Sequence, residues 1–393
     1  MVVEHVDSPY PRFSHEEIER RSGRVRTYLE QNQLDGLVVF GWSAQSRTAQ
    51  ADVYYLSGYL GMRDNYVVFP REGDPTLFAQ SYNHVPNASE VSFLDDVRWG
   101  GADNGETVGE DLLRRGLKRV GVVGWMPYQQ YESMRRTVGD RVRFEDVTAG
   151  FRRIRLKKSR EELQWLERGA AFTDAALGGL RDALRPGVRE FELAAAIEAS
   201  YLGDGGLTTF YYIASTPMAR PERSVPAQVL SSREIQRGDV VSCEISVSYA
   251  GYAGQGLRTF TVAEEPTEQI TELHSVAEEV YRRVAAAIRP GAVIEDVWAA
   301  SDSIAERGFT IRDGLLHGFG IGLLPPSIRT RQTTHGQDDD WVFEEGETIV
   351  IQPNVITVDE KAGVQTGELC VVTPDGARSL HSFPLELITV MSA

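Results

Sequence analysis

Cysteine is scarce in this sequence: Cys243 and Cys370 are the two in 393 residues. That is too few for a disulfide framework or a cysteine zinc site. Both sit in apolar, strand-like runs and read as buried, reduced thiols. Long hydrophobic runs are lacking too, so no stretch reads as a membrane span. Basic charge is in deficit, with 41 Lys and Arg against 57 Asp and Glu and a net charge of −16. Gripping a phosphate backbone needs concentrated cations, so the balance argues against a nucleic-acid partner. It leaves open an acidic surface for a basic protein. The first residues, MVVEHVDSPYPRF, lack the basic and apolar regions of a signal peptide, and the expected location is cytoplasmic.

What is present is ordinary globular material, 41% hydrophobic and 25% charged, and long enough for two domains. Residues 1–150 alternate helical and strand patterns as an α/β domain does. Ser14 and Glu17 have capping-box spacing ahead of an amphipathic helix ending near Gln33. Strands are expected at LDGLVVF, NYVVF, PTLFAQ, RVGVVGW and VRFEDV, and the glycines of VGVVGWMP do not form a dinucleotide fingerprint. The basic run FRRIRLKKSR (151–160) marks the boundary to a second domain, 151–393. There Ser159 and Glu162 form another capping box, followed by apolar residues at helical spacing.

The second half repeats itself. ALRPGVREFELAAAIE (183–198) matches AIRPGAVIEDVWAASD (287–302), and RGDVVSCEISV (237–247) matches EGETIVIQPNV (345–355). Glu244 and Gln352 each stand six residues after a glycine, and two similar helix–helix–strand–strand units imply a pseudo-twofold domain with its site between the halves. Within GDVVSCEISVSYAGYAGQGLRTF, two paired strands place Glu244 mid-strand and Gln255 at the start of the return. A strand interior disfavours Glu, and a buried carboxylate is costly without a partner, so Glu244 calls for a reason. The stretch DGLLHGFGIGLLPPS (313–327) surrounds His317 with small residues but is not a nucleotide loop, because two prolines follow where a helix would start. His84, His335 and His381 read as loop or surface residues.

Taken together, these motifs resemble the pita-bread superfamily of aminopeptidase P, prolidase, methionine aminopeptidase and creatinase. The resemblance covers nearly the whole chain. It implies an α+β fold: a creatinase-type α/β N-terminal domain, carrying DVYYLSGYLGMRDNYVVFP, then a pita-bread domain with a pseudo-twofold repeat. The family's peptidases hold two divalent ions with two Asp, one His and two Glu. Those five positions fall here at Glu244, Gln255, His317, Gln352 and Gly367, with Glu368 one place beyond. A further substrate-side His of the family is Leu324. Gln gives a single neutral oxygen and cannot bridge two cations, so no metal and no other cofactor is expected.

The expected activity is therefore a metal-independent hydrolase or lyase acting on a small molecule, at a C–N bond. Glu244 and His317 are the expected acid–base pair. Gln255, Gln352, Glu368, Tyr212 and Arg258 are the expected substrate contacts. Creatinase shows that the fold can break a C–N bond without metal, but its base, a His before the first core strand, has no counterpart in residues 208–237. Two other readings stay open: a catalytically inactive pita-bread binding module, and a single-metal Xaa-Pro aminopeptidase-like enzyme. Glu244 could also be a structural acid paired to Arg258. The two-domain layout further implies a homodimer.

Overall fold

The structure, a computed structural model, describes residues 9–43, 47–334 and 340–391. His335 lies outside the described residues. The chain divides into two units, Met1–Arg155 and Leu156–Ala393.

The first unit holds a six-stranded sheet ordered β4-β3-β2-β1-β5-β6. Its strands are β1 (Gly36–Gly41), β2 (Asn65–Pro70), β3 (Thr76–Ala79), β4 (Asp96–Trp99), β5 (Arg119–Val123) and β6 (Arg143–Asp146). Only β2 runs antiparallel to its neighbours. Helices α1 (His15–Gln31), α2 (Ala51–Ser57), α3 (Val85–Val91), α4 (Asn104–Arg114), α5 (Tyr128–Val138) and α6 (Thr148–Leu156) accompany it. The continuous apolar runs of β1 and β2 follow from burial on both faces. Leu37, Val39, Val67 and Phe69 enter one core, whereas Val38, Phe40, Tyr66 and Val68 enter another. Ser14 caps α1 through the Glu17 amide, but the Glu17 carboxylate turns to Arg20 and Arg21.

The second unit begins with α7 (Arg160–Ala183), whose Ser159–Glu162 capping box is complete, and continues with α8 (Leu193–Ala199). A ten-stranded sheet follows, with its main path ordered β13-β12-β14-β16-β10-β8-β7. The strands on that path and between are β7 (Gly206–Pro217), β8 (Asp239–Tyr249), β9 (Tyr252–Ala253), β10 (Gly256–Val262), β11 (Phe309–Ile311), β12 (Leu316–Gly320), β13 (Gly322–Ile328), β14 (Thr348–Ile351), β15 (Val355–Thr357) and β16 (Gly367–Thr373). Helices α9 (Glu268–Ala287) and α10 (Ile294–Ser301) occupy the second repeat as α7 and α8 occupy the first. DGLLHGFGIGLLPPS becomes the β12–β13 hairpin.

Alternation along the strands sorts the residues between two faces. Val241, Cys243, Ile245 and Val247 of β8 pack with Leu177, Leu180 and Ile197 from α7 and α8. Leu316, Ile349, Ile351 and Cys370 pack with Val280, Val284 and Val297 from α9 and α10. We call this the helix face. The opposite face, carrying Ser242, Glu244 and Ser246, is the site face. Among the described residues, no helix is long and apolar enough to cross a membrane.

Candidate active site

Hydrogen-bond register brings the selected side chains into one row. Tyr212 pairs with Glu244, Glu244 with Leu257, and Leu257 with Gly367. Cross-strand partners share a face, so all four look the same way. Gln255, just before β10, closes the row: its Nε2 donates to Glu244 Oε1 at 2.7 Å and to Gln352 Oε1 at 3.3 Å. Gln352 Nε2 in turn donates to the Gly314 carbonyl at 3.2 Å. Both glutamines are buried, and Gln255 Oε1 finds no hydrogen-bond partner among the described residues. Tyr212 adds an aromatic wall, stacked on Phe210 with centroids 4.7 Å apart.

His317 comes from the other half of the sheet. It pairs with Val350 on β14, out of phase with the core residues Leu316 and Ile351, and therefore also looks to the site face. The strand bulges between His317 and Gly318. Gly318 permits this, since a Cβ there would lie 2.1 Å from the Pro325 carbonyl oxygen. His317 Nδ1 lies 3.1 Å from the Gly318 carbonyl oxygen. A carbonyl only accepts, so Nδ1 carries the proton and Nε2 the lone pair in the neutral ring. The ring meets Phe319 edge-on at 5.7 Å.

Burial separates the two titrating groups. It pushes the Glu244 carboxyl up to about 8, with the nearby Asp313 charge adding to the rise. Burial lowers His317 below its ordinary value, opposed by the Gly318 carbonyl, the Asp313 charge and the Gln352 side chain. Near neutral pH the stable forms are a protonated Glu244 and a neutral His317. Burial, followed by the Glu244 charge, also raises the Tyr212 phenol.

Arg258 and Glu368, expected among the substrate contacts, lie elsewhere. Arg258 pairs with Cys243 and Glu368 with Ile351, which sets both on the helix face, one residue out of phase with the site row. They bind each other in an ion pair that is almost wholly buried. Glu368 also accepts from Tyr281 at 3.0 Å and from Ser379. Arg258 donates to the carbonyls of Leu257, Gly367, Phe383 and Pro384. The pair is a satisfied structural clasp, and the alternative pairing of Arg258 with Glu244 is not formed. His381 lies in a loop, as one of its two expected placements has it, but its ring is buried and binds Asp174 Oδ1 at 2.7 Å. His84 sits partly buried in a short 3-10 turn.

The sequence reading missed three buried polar residues close to the row. Asn354 follows Gln352 by two places, and Gln365 and Thr366 just precede Gly367. Both Asn354 amide atoms, Gln365 Oε1 and Thr366 Oγ1 lack hydrogen-bond partners among the described residues. Neutral amides next to a proline carry no motif, and the spacing from Gln352 was the available signal.

Could these donors hold divalent ions? Among the described residues, no group of three or more His, Cys, Asp or Glu side chains is placed to hold one. The Gln255 amide presents N–H to Glu244, where a cation would need oxygen. At Gly367 a Cβ would stand 2.1 Å from the Ile351 carbonyl oxygen and 2.7 Å from Gln352 Cα, at a φ of +148°. The backbone thus has no room for a ligand side chain there.

The two-unit architecture and the order of its site strands are those of the pita-bread superfamily. More narrowly, the chain belongs to Metallopeptidase family M24, a family of hydrolases, which matches residues 164–374. A Creatinase/Prolidase N-terminal domain matches residues 21–157. The chain is similar to the uncharacterized peptidase YqhT of Bacillus subtilis, with 25% identity over 93% of this chain and 98% of that one. It is 24% identical to the Xaa-Pro dipeptidase of Pyrococcus furiosus, over 94% of this chain and 100% of that one. The solved prolidase of Pyrococcus horikoshii OT3 superposes with a TM-score of 0.78 at 23% identity, covering 94% of this chain and 100% of that one. At that identity the likeness speaks for the fold alone.

Proposed function

We propose that this chain is a metal-independent hydrolase or lyase that acts at a C–N bond of a small molecule, with Glu244 as acid and His317 as base. The observation that carries the reading is the Gln255 amide, whose Nε2 bridges Glu244 and Gln352. In the family's dinuclear peptidases the resemblance puts a metal-holding Asp at that position. An N–H donor there ties the two half-sites together by hydrogen bonds and repels a cation. One carboxylate, two amides and a glycine do not fit a pair of divalent ions, which favour several charged oxygens.

Hydrolysis then runs on the chain's own groups. His317 Nε2 takes a proton from water as the water oxygen bonds to the electrophilic carbon. Glu244 Oε1 stays hydrogen-bonded to Gln255, and Oε2 delivers the carboxyl proton to the leaving nitrogen as the C–N bond breaks. Imidazolium and carboxylate remain, and proton exchange through water restores the starting forms. In an elimination the same base takes a proton from carbon instead. Two groups whose environments drive their pKa values apart suit such a division of labour. Each transfer contributes about 10²–10⁴-fold.

The test is a thermal-shift screen of small amides, guanidines and amino acids in chelator-treated buffer, followed by turnover of the compounds that bind. Turnover that persists in chelator and disappears in Glu244→Gln supports the reading. Turnover that appears only on adding manganese or cobalt overturns it.

A further inference from the structure

The row of Tyr212, Glu244, Leu257 and Gly367 has a neighbour. Thr259 pairs with Ser242 two residues along each strand, on the same face as Glu244. The Gln365 backbone is fixed to it, since its N–H donates to Thr259 Oγ1 at 2.8 Å and its carbonyl accepts from that hydroxyl at 3.0 Å. Ile351 pairs with Glu368, and Ile356 pairs with Gly363. A single register therefore runs through the break between β14 and β15, and it sets Asn354 opposite Gln365. This second row lies about 7 Å from the first, two residues of strand rise away.

The second row is polar, buried and unsatisfied. Asn354 and Gln365 are each 1% exposed. Asn354 Nδ2 and Oδ1 and Gln365 Oε1 have no protein partner among the described residues, and neither has Gln255 Oε1 in the first row. Buried polar atoms are almost always paired, so this concentration needs a partner from outside the chain. Every one of these groups is neutral. Together they offer acceptors in excess, a primary amide that both donates and accepts, and no fixed charge.

We propose that Asn354 and Gln365 form a recognition subsite for an uncharged amide or ureido group of the substrate, about 7 Å from the bond that reacts at Glu244. The proposal rests on the functional reading above and adds the substrate class to it. An amide returns one donor and one acceptor to Asn354 and supplies N–H to Gln365 Oε1. A carboxylate in its place could accept from Asn354 Nδ2 but would leave Asn354 Oδ1 and Gln365 Oε1 without donors. Sites built around hydrogen bonds reject analogues that leave their polar groups unpaired.

Thermal-shift titration of the intact protein with isosteric pairs, succinamide against succinate and glutaramide against glutarate, tests this directly. The amide member of at least one pair should bind at least about tenfold more tightly. In Asn354→Leu that preference should vanish while the ligand-free melting temperature holds or rises, because an apolar isostere removes an unpaired polar group. Gln365→Met provides the same test if Asn354→Leu does not fold. Glu244→Gln should keep the preference, which separates failure of the subsite from failure of the catalytic reading. Equal binding of amide and carboxylate, an undiminished preference in the folded Asn354 and Gln365 variants, or no shift with any member at millimolar concentration would overturn the proposal.

Discussion

Two sets of buried polar side chains on opposite faces of one sheet are handled in opposite ways. On the helix face, Arg258 and Glu368 are buried, ion-paired and surrounded by Tyr281, Ser379 and four carbonyls. On the site face, Gln255 Oε1 and both Asn354 amide atoms are equally buried and have no protein partner among the described residues. A fully satisfied buried pair holds a fold together, whereas buried groups left short of partners mark where something else must bind. On the proposed reading, the difference separates structural residues from functional ones a short step away in the same sheet.

The comparison breaks most visibly if substitutions on the two faces have the same effect. On the site face, His317→Ala and Glu244→Gln should each reduce turnover by about 10²–10⁴-fold, measured as kcat under substrate saturation. Their far-ultraviolet circular dichroism should stay native. On the helix face, Glu368→Gln leaves the Arg258 charge buried and unpaired. It should destabilise the fold by about 3–5 kcal/mol in urea unfolding, with kcat of the remaining folded protein little changed. Loss of turnover without loss of stability in Glu368→Gln would erase the distinction.

Acidity gives a finer contrast. Glu244 titrates at about 8 in the folded protein against an ordinary 4.5, so the native state holds a proton that the unfolded chain releases. Its contribution to stability is present below pH 4.5 and is lost as pH rises through about 8. His317, lowered by burial, acts with the opposite sign: stability falls as pH drops below its ordinary value. Glu244→Gln should therefore gain stability relative to the parent as pH rises toward and above 8, seen in urea unfolding at pH 6 and pH 9. The rate profile should have an alkaline limb near pH 8, where the acid loses its proton, and an acid limb below the usual histidine range. An alkaline limb that survives in a residually active Glu244→Gln would assign that limb to another group.

Much of this was legible in the residues. The alternation of VVSCEISVS set Cys243 and Glu244 on opposite faces, and the repeat matched Glu244 with Gln352 before any coordinates. Where the sequence misled, the cause was phase or distance. Glu368 and Gly367 are adjacent, and only the pairing with Ile351 and Leu257 tells which of them faces the site. Arg258 is expected among the substrate contacts, yet one step of strand from Leu257 turns it to the other face. His381 reads as a loop or surface residue and does lie in a loop, but its ring is buried against Asp174 from a helix far earlier in the chain. Asn354 and Gln365 stayed hidden because neutral amides carry no local signature, and their opposition depends on a register carried through a break in the strand.

If, as proposed, hydrogen bonds from Gln255 join the half-sites where the family's peptidases hold metal ions, the purified protein carries none. Elemental analysis of the purified protein, prepared without added metal and again after dialysis against manganese and cobalt, tests it most directly. Well under one equivalent of any divalent transition metal per chain is expected in both preparations, with turnover of the identified substrate unchanged between them. Two equivalents per chain, retained through gel filtration, would contradict it.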